Sequence, residues 1–163
     1  MNKNELEFYY GFEPVFDANS KILILGSFPS VKSRQINFYY GNKQNRFWNM
    51  LSDVFNQQIP SSIIGKKEFL LSKNIALWDI VERCTVEGSS DAKITNVSVA
   101  DIVGLLKKTK IKKILCNGAK SYELLKKHFP LILYMAQKMP STSPANVRSF
   151  DFNQWLNALC FLL

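Results

Sequence analysis

The sequence is poor in the residues that build metal centres. It holds a single histidine, His128, and three cysteines, Cys84, Cys116 and Cys160. No Cys-x-x-Cys pair occurs, and a structural zinc or an iron–sulfur cluster draws on about four Cys or His ligands. Such a centre is therefore not expected, and neither is any metal or other cofactor. Three cysteines cannot all pair; Cys116 and Cys160 lie in apolar segments and read as buried, reduced thiols. Long apolar runs are missing too. Ile22 to Leu25 and Leu131 to Ala136 fall far short of the ~20 residues of a membrane span. The first ten residues carry charges in place of an apolar signal core, which points to an intracellular protein with no membrane partner. Neither Gly-x-Gly-x-x-Gly nor Gly-x-x-x-x-Gly-Lys-Ser/Thr is present, which argues against a small-nucleotide binder on a Rossmann-like sheet. Repeats, low-complexity tracts and linkers are absent as well, so residues 1–163 read as one domain.

What the chain does have is a hydrophobic fraction of 47% and a net charge of +8. The first is ample for a core. The second favours a polyanionic partner such as nucleic acid, although many lysine-rich proteins bind none. The densest cations, Lys107, Lys108, Lys110, Lys112 and Lys113, fall where a helix gives way to a strand. There they read as a solvated face that complements a helix C-terminus.

Four short apolar runs read as buried strands: Lys21 to Gly26, Ile75 to Asp79, Ile111 to Gly118 and Leu131 to Ala136. Between them the period turns helical. Phe47, Met50, Leu51, Val54 and Phe55 share one face of a helix beginning near Asn45, and Ser62 to Leu71 forms another. Ile102, Leu105 and Leu106 follow Ser98 as N-cap, Tyr122 to Phe129 continues from Gly118, and Phe152, Trp155, Leu156 and Leu159 make the last helix. Strands alternating with helices predict a parallel sheet covered on both faces. Ser27 to Gln44 and Arg83 to Val97 read as long loops leaving the carboxyl ends of strands, where open α/β sheets bind ligands. The cations expected on that side, Lys32, Arg34, Lys43, Arg46, Lys138 and Arg148, are candidates for phosphate contacts.

Two polar, proline-stiffened segments, Gly26-Ser27-Phe28-Pro29-Ser30 and Ser141-Thr142-Ser143-Pro144-Ala145-Asn146, follow strands and should meet at one site. Between them, Tyr39-Tyr40-Gly41-Asn42-Lys43-Gln44-Asn45-Arg46-Phe47-Trp48 crowds aromatics and amides ahead of a helix. Aromatic faces stack on nucleobases and amides hydrogen-bond their edges or hold a water. Phe47 and Trp48 read as core; Asn45 reads equally well as a helix cap or as a functional amide. Asp79 ends its strand on a carboxylate, and either caps a loop, pairs with an arginine or reads a ligand. Asn117 precedes a glycine and reads as a turn residue within reach of the site.

These segments, together with Leu77-Trp-Asp-Ile80 and Cys116-Asn-Gly118, occur in the order found in the uracil-DNA glycosylase superfamily. The chain most resembles its hypoxanthine-DNA glycosylase branch, from about Ser20 to Arg148. The resemblance implies a three-layer α/β/α sandwich with a four-stranded parallel sheet of order 2-1-3-4. It also implies a DNA glycosylase that removes a deaminated base; no lysine sits in a motif position suited to a Schiff base, so a monofunctional enzyme that leaves the strand intact is expected, and a monomer. The first motif of the superfamily commonly carries Asp or Asn where this chain has Phe28, and a histidine of several branches corresponds to Ser141. The hypoxanthine branch relies instead on an asparagine that matches Asn45, which the resemblance makes the catalytic residue. It places Phe28 as a stacking wall, with Ser27, Tyr40, Asp79 and Asn117 also around the base. Asp79 would accept the N1–H of hypoxanthine, which adenine lacks. Pro29, Ser30, Arg46 and Arg148 would contact DNA. Ser141, Thr142, Ser143, Pro144, Ala145 and Asn146 correspond to a loop that fills the gap left by the flipped base. Uracil or mixed specificity, and a damaged-DNA binding module without catalysis, are the alternative expectations.

Overall fold

The computed structural model describes residues 7–86 and 94–163. Its centre is a parallel sheet of β2 (Ile22–Gly26), β3 (Ile75–Asp79), β6 (Lys113–Asn117) and β7 (Ala136–Met139), ordered β3-β2-β6-β7. Numbered among themselves these strands give the expected order 2-1-3-4.

The residues of β2 alternate between two cores, as successive side chains of a strand must. Ile22 and Ile24 pack on one face with Phe47, Leu51, Phe69 and Trp155, from α2 (Phe47–Phe55), α3 (Ile63–Ser72) and α6 (Phe152–Leu159). Leu23 and Leu25 pack on the other with Ile102, Leu105 and Leu125, from α4 (Ile102–Lys107) and α5 (Ala119–His128). The result is the three-layer sandwich. Among the described residues no helix is long and apolar enough to cross a membrane.

The capping follows local chemistry. Ser62 accepts from the Gly65 N–H to start α3, and Asp151 accepts from the Asn153 and Gln154 N–H groups to start α6. The cap of α4 is Asp101, three residues beyond the expected Ser98, because Ser98 belongs to a strand and the Asp101 carboxylate takes the Gly104 N–H.

Three further expectations are corrected. Leu131 to Ala136 is not a strand. Pro130–Met135 forms a 3₁₀ turn, with Leu131 and Tyr134 exposed, and β7 begins only at Ala136. Proline cannot enter the ladder as a donor but suits the first helical position. Arg83 to Val97 is not a long loop either. β4 (Val81–Val86) and β5 (Ile94–Val99) pair antiparallel there, and β1 (Phe8–Tyr10) adds a third strand along β4. Residues 87–93 of the expected loop lie outside the described residues. Val81 and Cys84 bury this small sheet against the second core instead of the expected site. Last, Cys84 and Cys116 are buried but Cys160 is exposed, on the final turn Cys160–Leu162.

Ser27 to Gln44 does leave the sheet at its carboxyl edge. It carries one short helix, α1 (Val31–Ile36), capped by Ser30 and ended by Asn37 at φ 61°. The lysines around 107–113 lie at the end of α4 and the start of β6, and so at the amino edge of the sheet, as expected.

Candidate active site at the carboxyl edge of the sheet

Parallel register brings Gly26 beside Asp79, and Asn117 beside Met139. The chain segments that leave these strands therefore converge. They enclose a pocket of about 220 Å³ lined by Ser27, Phe28, Pro29, Ser30, Tyr40, Asn45, Asp79, Asn117 and Ser141 to Ser143. That is smaller than drug-sized ligand clefts of roughly 300–1,000 Å³ and suits a single planar ring system. Arg46, Pro144, Ala145, Asn146 and Arg148 stand outside this lining. Tyr39 and Asn42, from the segment rich in aromatics and amides, line it too, and so does Ser33, which was not anticipated. The spacing Ser30-x-x-Ser33 was the available signal for Ser33: Ser30 Oγ caps its N–H, and Ser33 Oγ in turn accepts from the Gly41 N–H at 2.9 Å.

Asn45 stands at the start of α2 and at the wall of the pocket. From one residue ahead of the N-cap, Arg46, its Oδ1 accepts the Phe47 N–H at 2.9 Å, which satisfies the first N–H of α2 and fixes the plane of the amide. An amide held at one lone pair keeps a second lone pair and two N–H donors for a ligand or water.

Asp79 is buried, 5% exposed, and pairs with no arginine among the described residues. Burial raises its carboxyl from 3.8 to about 7, since a charge removed from water is disfavoured. The approach of this carboxylate depends on Gly26. A Cβ there would collide with Asp79 Oδ1 and stand 3.0 Å from Tyr40 Oη.

Asn117 spends its amide on Thr142. Its Nδ2 donates to Thr142 Oγ1 at 2.9 Å and its Oδ1 accepts the Thr142 N–H at 3.0 Å. Thr142 is fully buried by this clasp. Gly118 follows at φ 94° with Ser141 Cβ only 3.2 Å from where its own Cβ would be, so both conformation and space require glycine there. The asparagine that reads from sequence as a turn residue is the pin between β6 and the loop after β7.

That loop is braced from within and from α2. Ser141 Oγ accepts the Ser143 N–H, Ser143 Oγ accepts the Ala145 N–H, and Asn146 Nδ2 donates to Ser141 O at 2.9 Å. Arg46 donates through Nη1 to Ser143 O at 3.1 Å and Asn146 O at 3.4 Å, and through its backbone to Thr142 O. Its guanidinium lies 5.3 Å from the Phe150 ring centre. The residue next to Asn45 thus ties the helix start to the loop.

Phe28 borders the pocket, leans on the second core, and has the Arg34 guanidinium 5.6 Å from its ring centre. Of the expected cations, Lys32, Lys43, Lys138 and Arg148 are exposed.

Comparison with known proteins bears directly on this arrangement. The family model for the Uracil DNA glycosylase superfamily matches residues 13–161. A hypoxanthine DNA glycosylase of Methanosarcina acetivorans is 36% identical over 149 residues, covering 88% of this chain and 91% of the relative. One from Methanosarcina barkeri is 34% identical over 145 residues, covering 85% and 89%. The solution NMR structure of a Methanosarcina acetivorans protein, provisionally described as a uracil DNA glycosylase, superposes with a TM-score of 0.84 at 32% identity, over 96% of this chain and 99% of that one. With its parallel sheet, its pocket at the carboxyl edge and a match spanning nearly its whole length, the chain belongs to the uracil DNA glycosylase superfamily.

Proposed function

We propose that this protein is a monofunctional DNA glycosylase that hydrolyses the N-glycosidic bond of a deaminated base, hypoxanthine above all. The observation that carries the proposal is the convergence of Asn45, Asp79 and the Ser141 to Ser143 loop on one nucleobase-sized pocket, in a chain whose relatives bear that activity in their names.

A base inside a duplex is out of reach, so the nucleotide must swing out into the pocket. The Ser141 to Asn146 loop, stiffened by Pro144 and braced by Arg46, would fill the space left behind, and its serine hydroxyls, with Pro29 and Ser30, would meet neighbouring phosphates. Lys32, Lys43, Lys138 and Arg148 stand exposed for further phosphate contacts. Phe28 would stack on the purine.

The bond from C1′ to N9 then breaks with oxocarbenium character, its electron pair leaving with the purine. Water held by the Asn45 amide adds its oxygen to C1′, and its released proton neutralises the purine. The products are free base and an abasic sugar in an intact strand. Holding the water is a positioning task that requires no ionisation. Asp79 in its carboxylate form would accept the N1–H of hypoxanthine, whereas adenine offers it only a lone pair. Among the described residues no lysine lines the pocket, so the proposed mechanism has no Schiff-base intermediate and no strand cleavage through one.

The test is incubation with duplexes carrying one deoxyinosine, deoxyuridine or deoxyxanthosine, followed by alkali. Strand scission after alkali alone, fastest with deoxyinosine, is expected. Absence of abasic product from all three, with tight binding to the lesion, would make this a binding module instead of an enzyme.

A further inference from the structure

Tyr39 and Tyr40 are adjacent and chemically identical, yet the fold treats them differently. The Tyr39 hydroxyl donates to Glu13 O at 2.8 Å, which ties it to the N-terminal segment. The Tyr40 hydroxyl is buried and closes no hydrogen bond with any described residue. Native structures rarely leave a buried hydroxyl unmet, because desolvation is then uncompensated. Tyr40 also carries a backbone φ of 53°, a region that bulky residues avoid. Its ring is clamped in that posture by Phe47, stacked at 4.1 Å between centroids and 26° between planes. A strained backbone and an unmet donor at one residue of a pocket point to a ligand that completes it.

What surrounds the hydroxyl indicates which ligand atom that is. Tyr40 Oη and Asp79 Oδ1 flank the same missing Cβ, that of Gly26. The Asn117 amide lies close enough to favour the ionised hydroxyl, the influence of a donor, while its two bonds of good geometry go to Thr142 and leave the phenolic proton without an acceptor among the described residues. Burial, and then the charge of Asp79, raise the Tyr40 pKa, so the hydroxyl keeps its proton and acts as a donor. A fixed donor beside a carboxylate complements a ring edge with a carbonyl oxygen next to an N–H.

We propose that Tyr40 is a specificity-determining residue whose hydroxyl donates to the exocyclic oxygen of the flipped base while Asp79 accepts the adjoining ring N–H. This inference rests on the glycosylase reading above and extends it to a residue with a separable role. Deamination converts an amino group beside a ring nitrogen into an oxygen beside an N–H, so both members of the pair gain a partner. Adenine faces the same pair with its polarity reversed and leaves both unmet. The hydroxyl is buried while the residue borders the pocket, so the contact needs a base seated against the pocket floor. A donor on that oxygen also stabilises the negative charge the purine acquires as the C1′–N9 bond breaks.

Single-turnover excision by wild type and Tyr40→Phe on two duplexes tests this, one carrying deoxyinosine and one carrying the 2′-deoxyriboside of unsubstituted purine, which lacks the 6-oxygen. Loss of one donor to developing charge is expected to slow deoxyinosine excision roughly tenfold to a hundredfold. Release of unsubstituted purine should change by less than about threefold, since there is no oxygen to contact. The thermal midpoint of Tyr40→Phe should match or exceed that of wild type, which excludes misfolding as the cause. Inhibition by free hypoxanthine supplies a second readout, expected to weaken in the variant. Equal losses on both duplexes, or none on deoxyinosine, would overturn the assignment. Wild type inactive on every deaminated base would instead overturn the glycosylase reading itself, and this one with it.

Discussion

The two edges of the parallel sheet divide the chemistry of this molecule unequally. At the amino edge, where α4 ends and β6 begins, lysines crowd at positions 107, 108, 110, 112 and 113. At the carboxyl edge the pocket is lined by serines, asparagines, tyrosines and one buried carboxylate. The densest run of charge thus sits on the edge without the pocket. Exposed lysines are individually cheap in water and contribute a diffuse field. The carboxyl edge concentrates groups that are costly to bury and oriented by hydrogen bonds, the condition for recognising one base and holding one water.

The largest effect that should separate the two edges comes from Asn45→Ala. It removes the amide that holds the nucleophile and is expected to slow excision at least about a hundredfold. Affinity for lesion-bearing DNA, measured by fluorescence anisotropy, should stay within about threefold, because the phosphate contacts are untouched. Activity near that of wild type would remove Asn45 from the mechanism.

Next comes the buried carboxylate. Folding raises the Asp79 pKa from 3.8 to about 7, so the folded protein holds a proton there that the unfolded chain releases. Its contribution to stability is fully present below pH 3.8 and is lost as pH rises toward and through 7. For a shift of this size the loss is on the order of 4 kcal/mol. Asp79→Asn keeps the shape and removes the titration. Urea midpoints of the variant should therefore fall less than those of wild type between pH 5 and 8. Parallel pH profiles would show that the carboxylate is not held as buried as it stands here. The same variant should change the preference among deaminated bases more than overall DNA affinity.

A smaller effect is expected at the strut. Arg46→Ala removes two hydrogen bonds to loop carbonyls and the contact with Phe150. Hydrogen bonds to charged groups contribute about 1.5–3 kcal/mol, and partial exposure brings this to about 1–2 kcal/mol. Hydrogen exchange should quicken at the Asn146 amide, which bonds to Ser143 O within the loop. Unchanged exchange there would show that the loop braces itself without Arg46.

The smallest effect sharpens the contrast from the other side. Reversing Lys108 and Lys112 to glutamate together should leave deoxyinosine excision within about twofold at physiological salt, where such charges are screened beyond ~8 Å. A large loss would mean that DNA also contacts the amino edge.

Much of this architecture was legible in the sequence because local chemistry and global fold agree. Ile22 to Leu25 can only be a doubly buried strand, and the apolar stripe of Phe47, Met50, Leu51 and Val54 can only be a helix face on the core. Where the reading failed, tertiary context outweighed pattern. Leu131 to Ala136 looks like a strand by hydropathy, yet Pro130 opens it as a 3₁₀ turn with two large side chains in water. Val81 to Val86 and Ile94 to Val99 mix buried and exposed positions without a clean alternation. Register shifts along their pairing account for that, and they hid the second sheet within an apparent loop.

The sequence by itself determined the layers, the strand order through family resemblance, and the segments that reach the carboxyl edge, because hydrophobic period and turn residues are local properties. Only the tertiary structure decided the division of labour within those segments. It shows that Asn117 clasps Thr142, that Arg46 braces the loop, and that the Tyr40 O–H beside Asp79 meets no acceptor among the described residues. The physical reason is that a hydrogen bond is a relation between groups far apart in the chain. Which polar group is satisfied, and which is left to meet a ligand, exists only once the strands are in register.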